Sequence, residues 1–162
     1  MSSRRSTRFE ALGEVTRYLG AVSLLMVAAI HAQQYYDAYL SVVPTIGTLF
    51  LLNLVGASVT GLQLLAPVRL LEQRIANAIL VLAAIAGISI ATGSFAALLI
   101  SEYHPLVGFM ESGYRLAIVL SLSFEGLATL LLTAFVVTPS LGRNADGPRR
   151  AHPTLNAAGA NA

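Results

Sequence analysis

Four long uncharged runs, separated by short stretches that carry charge, dominate the hydrophobic pattern of this chain. The first, Tyr18 to Tyr36, lies between Arg17 and Asp37, and the second lies between Pro44 and Pro67 with Asn53 as its most polar member. The third extends from Ile75 to Ser101 between Arg74 and Glu102. The fourth extends from Leu116 to Thr138, after Arg115 and before Pro139, and is interrupted only by Glu125. Spanning ~30 Å of hydrocarbon takes about 20 apolar residues of helix, so each run is long enough to cross a bilayer once. A membrane β-barrel would need alternating segments of about ten residues, and these runs are longer and do not alternate. The pattern predicts an all-α fold, a four-helix transmembrane bundle with helices over 18–36, 45–66, 75–101 and 116–138.

The flanks of the runs predict orientation. Arg4, Arg5, Arg8 and Arg17 precede the first run, Arg69 and Arg74 lie in the second connection, and Arg143, Arg149 and Arg150 follow the last run. Against these nine, only Arg115 lies near the other two connections. Short Arg-rich segments stay cytoplasmic, which predicts an N-in/C-in multi-pass protein of a bacterial plasma membrane. Tyr35, Tyr36, Tyr39, Tyr103 and Tyr114 then gather at the outer boundary, where amphipathic rings settle. Residues 1–17 are expected to form a cytoplasmic tail that can fold as a short interfacial helix, with Phe9, Leu12 and Val15 toward lipid. Residues 139–162, which contain Pro139, Pro148 and Pro153, are expected to be a disordered cytoplasmic tail. The stretch from Arg4 through Ile30 to Ala32 also imitates a signal peptide. The 19-residue length of the first uncharged run, and a capping-box pattern at Thr7 and Glu10, favour a retained helix.

Composition agrees with the pattern. Only 11% of the 162 residues are charged and 56% are hydrophobic, against roughly 25% charged in a soluble domain. The polar residues are too few to cover a globule in water. The net charge of +2 sits at segment ends rather than on one face, which argues for membrane flanks over nucleic acid. The absence of Cys excludes disulfides, thiolate metal sites and Cys nucleophiles.

Small residues mark faces where membrane helices meet, because lipid leaves no hydrophobic drive for association. The third run has two such rows, Ala83, Gly87, Ala91 and Ser89, Gly93, Ala97, and the second has Gly56, Ala57, Thr60 and Gly61. The third helix is therefore expected to be central, and one of its rows is a candidate dimer face.

Glu125 is the most informative single residue. It is tenth of the 23 residues of its run, and a charge near the bilayer centre costs on the order of 2.5–3.5 kcal/mol. Ser121, Glu125, Thr129 and Thr133 recur every four residues as one polar stripe, expected to face the interior with the carboxyl neutral, since an unpaired charge in hydrocarbon takes up a proton. Two readings stay open: a proton, ion or ligand site, or an interhelical hydrogen bond to Asn53, Thr60 or Thr92. Asn53 alone suits packing. His31, Asp37, Glu102, His104 and Glu111 collect at the outer connections. Such groups can bind a divalent metal, and two His can ligate haem. No pair has a recognisable ligand spacing, both His are read as solvated at the wet boundary, and metal and cofactor stay open. No G-x-S-x-G is present.

Pro44-Thr45-Ile46-Gly47 followed by Phe50-Leu51-Leu52-Asn53 resembles the entry to the second helix in a group of small, uncharacterised integral membrane proteins of high-GC, actinobacterial-type bacteria. Gly108-Phe109-Met110-Glu111 and Glu125 are similar to that group's third connection and last helix. The resemblance, over roughly residues 18 to 137, implies a four-helix bundle and no activity. The plan also resembles, in topology alone, DoxX-type proteins associated with quinone-linked redox. The function expected is a non-enzymatic structural or accessory subunit, with the lipid bilayer, other membrane subunits or a second copy as partners. The rival is a small transporter or proton-coupled redox subunit that uses Glu125, and an enzyme with its site at the outer boundary comes third.

Overall fold

The computed structural model of this protein describes residues 2–37, 44–67, 72–106, 110, 113 and 115–145, with side chains at Arg8 and, within those ranges, from 11 to 138. Its elements are α1 (Ser2–Asp37), α2 (Pro44–Leu65), α3 (Gln73–Tyr103) and α4 (Leu116–Ala145). All four are long and apolar enough to cross a membrane, over Ala11–Asp37, Pro44–Leu65, Gln73–Tyr103 and Leu116–Thr138. Pro44 opens α2, where a missing N–H costs nothing. At the far end of α3 the chain turns extended at His104, whose N–H still donates to the Ile100 carbonyl. Gly113, at φ +85°, takes the left-handed turn that precedes α4.

Both outer helices run further than hydropathy alone predicts. α1 begins at Ser2, so Thr7 and Glu10 lie inside the helix instead of capping its start, and residues 2–17 continue the first span without a break. α4 carries through Pro139 to Ala145, so 139–145 are helical instead of disordered. Residues 146–162 lie outside the described residues.

The helices form a closed ring in which α1 and α3 each pack against α2 and α4 and barely touch across the diagonal. α1, not α3, is the most enclosed: half of its most apolar stretch is buried, against a third of that of α3. Two close approaches account for this. A Cβ on Gly20 of α1 would lie 2.6 Å from Leu132 of α4, and one on Gly61 of α2 would lie 3.2 Å from the Ala21 carbonyl oxygen of α1. The two small-residue rows of α3 part company. Ala83, Gly87 and Ala91 are buried, whereas Ser89 and Gly93 are exposed.

The lower half of the bundle is an apolar core of Ala21, Leu24, Leu64, Ala84, Ala128 and Leu132, all fully or nearly fully enclosed. The exterior is apolar as well: Leu52, Leu82 and Leu130 are each more than half exposed, a surface suited to lipid and not to water.

Candidate functional site: a polar cluster joining all four helices

One buried polar cluster draws a side chain from every helix. The His31 ring on α1 places Nδ1 2.9 Å from the Val27 carbonyl one turn back. A carbonyl only accepts, so Nδ1 carries the proton and Nε2, turned into the bundle, is an acceptor while the ring is neutral. Asn53 of α2 approaches Nε2 at 2.8 Å, with its amide nitrogen donating. The Ser94 hydroxyl of α3 lies 3.2 Å from the same nitrogen. On α4, Glu125 brings Oε1 to 3.9 Å from Nε2 and accepts there a 3.1 Å hydrogen bond from Ser121. Phe50 of α2 packs on the imidazole with ring centroids 5.1 Å apart.

The convergence follows from depth. Asn53, Ser94 and Glu125 each lie nine residues inside the Tyr-bearing end of their helix, counted from Pro44, Tyr103 and Leu116, about 13 Å at the helical rise of 1.5 Å per residue. His31 lies six residues inside Asp37, and its long ring reaches down from there. The couple is enclosed: Glu125 is 0% exposed and His31 3%.

Two acceptors of the cluster have no protein partner. Glu125 Oε2 and Asn53 Oδ1 are buried without a hydrogen-bond partner, which costs free energy in any low-dielectric setting. The separation of 3.9 Å between Nε2 and Oε1 is too long for a hydrogen bond and short enough for strong coupling. A net-neutral couple holds one shared proton, on the carboxyl or on Nε2. Rotating the Asn53 amide by half a turn would present Oδ1 instead of the NH2 group to Nε2, so the same side chain suits either location of the proton.

On the Tyr-bearing side of the cluster lies a cavity of about 10 Å³ whose lining includes Ile30, His31, Gln34, Phe50, Leu98 and Ser121. That is the space of a single water, not of an organic ligand.

Of the residues that sequence singles out, Glu125, Asn53 and Ser121 meet here, and Thr129 does not. Its hydroxyl returns to the Glu125 backbone carbonyl at 2.9 Å, and Thr133 is exposed. Positions four apart rotate by about 40° per step on a helix of 3.6 residues per turn, so the stripe drifts off the interior face. Thr60 is buried deeper, against the Gly87 position. Thr92 is exposed and bonds the Ile88 carbonyl of its own helix.

His31 corrects the sequence reading most. It is not solvated at the boundary but enclosed within the bundle, because α1 stays helical to Asp37 and holds it nearly two turns inside the end. The other outer residues stay apart from it. Asp37 and His104 are exposed, Glu102 is half-buried, and Glu111 lies outside the described residues. Among the described residues, no three His, Asp or Glu side chains are grouped so as to hold a metal ion. Ser94 is the member that sequence reasoning missed, and the signal for it is its depth, which equals that of Asn53 and Glu125. No protein-family model, curated protein or solved structure matches this chain.

Proposed function

We propose that this protein is a multi-pass membrane protein, N-in/C-in in a bacterial plasma membrane, whose bundle carries one interior proton-binding centre, the His31–Glu125 couple, and that it serves as a small proton-coupled transporter or subunit. The observation that carries this reading is the fully buried Glu125 carboxyl, facing an imidazole of another helix at 3.9 Å. An acid fully buried within a membrane-spanning helix marks a proton or ion site.

A test is the carboxyl C=O infrared band of the reconstituted protein, followed between about pH 5 and 8, the range in which His charge changes. A band that changes with pH, and is missing from Glu125→Gln with the helical content retained, is the expected result. A band insensitive to pH, or one that persists in Glu125→Gln, overturns the reading.

The second reading, an accessory subunit, draws on the lipid-facing side of α3. Ser89 and Gly93 are exposed there, and a Cβ on Gly93 would meet nothing within 4 Å. A second copy or another membrane subunit could approach that face closely.

Orientation has its own check. A reporter joined after Ala162 should be active only in its cytoplasmic form, and a tag at Gly108 should be labelled from outside intact cells. External labelling of the C-terminus would sink the N-in/C-in assignment.

A further inference from the structure

We propose that the His31–Glu125 couple exchanges its proton with the Tyr-bearing side of the bundle alone, through Gln34 and the one-water cavity, and is sealed from the opposite side. The inference rests on the proton-binding reading above and adds the side that supplies the proton.

On the Tyr-bearing side a chain of polar groups runs from the surface to the carboxyl. Gln33 is exposed, and its Oε1 accepts a 2.9 Å hydrogen bond from Nε2 of Gln34. Gln34 is buried and lines the cavity together with His31 and Ser121. Ser121 in turn donates to Glu125 Oε1. Gln34, His31 and Ser121 share the lining of this one-water space, so a single water there has polar partners to bridge.

On the other side the path closes. Leu24 and Leu132 are fully buried and meet over Gly87, where both leucine methyls come within 3 Å of the position that a Cβ would take. Ala84, Ala91 and Ala128 complete the plug. Among the described residues, no charged or titratable side chain faces the couple from that direction. α2 has none at all, α3 has none between Arg74 and Glu102, and α4 has none between Glu125 and Arg143. On α1 the nearest is Tyr18, with Arg17 beside it, 13 residues or about 20 Å of helix away. Toward the Tyr-bearing side the charged and titratable groups among the described residues are Tyr35, Tyr36 and Asp37 on α1, Glu102, Tyr103 and His104 at the end of α3, and Arg115 before α4.

The exchange is a simple proton transfer. On uptake an O–H bond of a hydronium in the cavity breaks and an N–H or O–H bond forms at Nε2 or the carboxyl. Release reverses this, and no electron is moved.

The experiment is a rapid pH step applied to the outside of sealed proteoliposomes sorted by orientation, with the Glu125 carboxyl band as the readout. The band should respond promptly when the Tyr-bearing end faces the step, and only at the leak rate of the vesicle when the Arg-rich end does. Gln34→Leu, an apolar side chain of similar size at a buried position, should slow the prompt response by roughly tenfold, the factor of one lost hydrogen-bonded step. Prompt response from the Arg-rich side overturns the sidedness, and full speed in Gln34→Leu overturns the route through Gln34; either leaves the proton-binding reading standing. A band that responds from neither side overturns both.

Discussion

Replacing Gly87 with Val is expected to destabilise the bundle by about 2–3 kcal/mol, the upper range for overpacking a filled interior, while Gly93→Val stays within about 0.5 kcal/mol, as at an open surface position. The two glycines share a helix and differ in what surrounds them. A Cβ on Gly87 would lie 2.7 Å from Leu24 Cδ1, 2.9 Å from Leu132 Cδ1 and 3.3 Å from Thr60 Cγ2, so it meets three helices at once. The leucine tips are flexible, but both side chains are fully buried, and rotating them drives their methyls into other neighbours. Valine adds two further methyls to the same space. Around Gly93 nothing lies within 4 Å. Unfolding in graded detergent mixtures, with both variants measured against the parent, reads the difference directly. Equal losses at the two positions would mean that the helices are not packed at Gly87 as described. Unchanged stability in Gly93→Val combined with lost crosslinking in native membranes would support the accessory reading of that face.

The four spans were legible because lipid leaves no latitude: a helix that crosses hydrocarbon must be apolar along its length, whatever it packs against. The helix ends were less legible, because beyond the bilayer hydropathy stops reporting on helicity, and α1 and α4 continue into polar sequence. Glu125 stood out for the same reason that the spans did, as a charge at a depth where charge is costly. His31 did not, since its burial depends on how far α1 extends past it and on Asn53 reaching its ring from another helix, neither of which has a signature along the chain. Ser94 is harder still. Serines in membrane helices commonly bond a carbonyl of their own preceding turn, as Ser23, Ser89 and Ser123 do here. A serine that instead serves a tertiary contact reads the same in one dimension. The packing of α1 was hidden too, because Gly20 and Gly61 matter only once their opposite surfaces, Leu132 and the Ala21 carbonyl, are known.

Substituting His31 with Leu is expected to cost about 2 kcal/mol, the penalty for orphaning a buried polar group, while Glu125→Gln should cost well under that. Glutamine keeps the length of Glu125, and the atom it places at the Oε1 position either accepts from Ser121 as oxygen or donates toward Nε2 as NH2, with the Ser121 hydroxyl then accepting instead. Leucine at 31 fills much of the imidazole volume and satisfies nothing. Asn53 loses the acceptor 2.8 Å away, and with it the hydrogen bond its amide makes to another helix. Ser94 escapes part of the loss, because its hydroxyl can turn to a carbonyl of its own helix. Glu125 keeps the hydroxyls of Ser121 and Ser94 but loses its imidazole neighbour from α1. Adding Asn53→Leu to His31→Leu should therefore recover stability instead of subtracting more, since removing both partners of a buried hydrogen bond is far milder than removing one. The double-mutant cycle should yield a coupling of about 1 kcal/mol, within the range measured for hydrogen bonds between membrane helices. Strict additivity of the two substitutions would show that the His31–Asn53 contact is absent from the folded protein. The cluster joining the four helices would then lose the link that connects α2 to it.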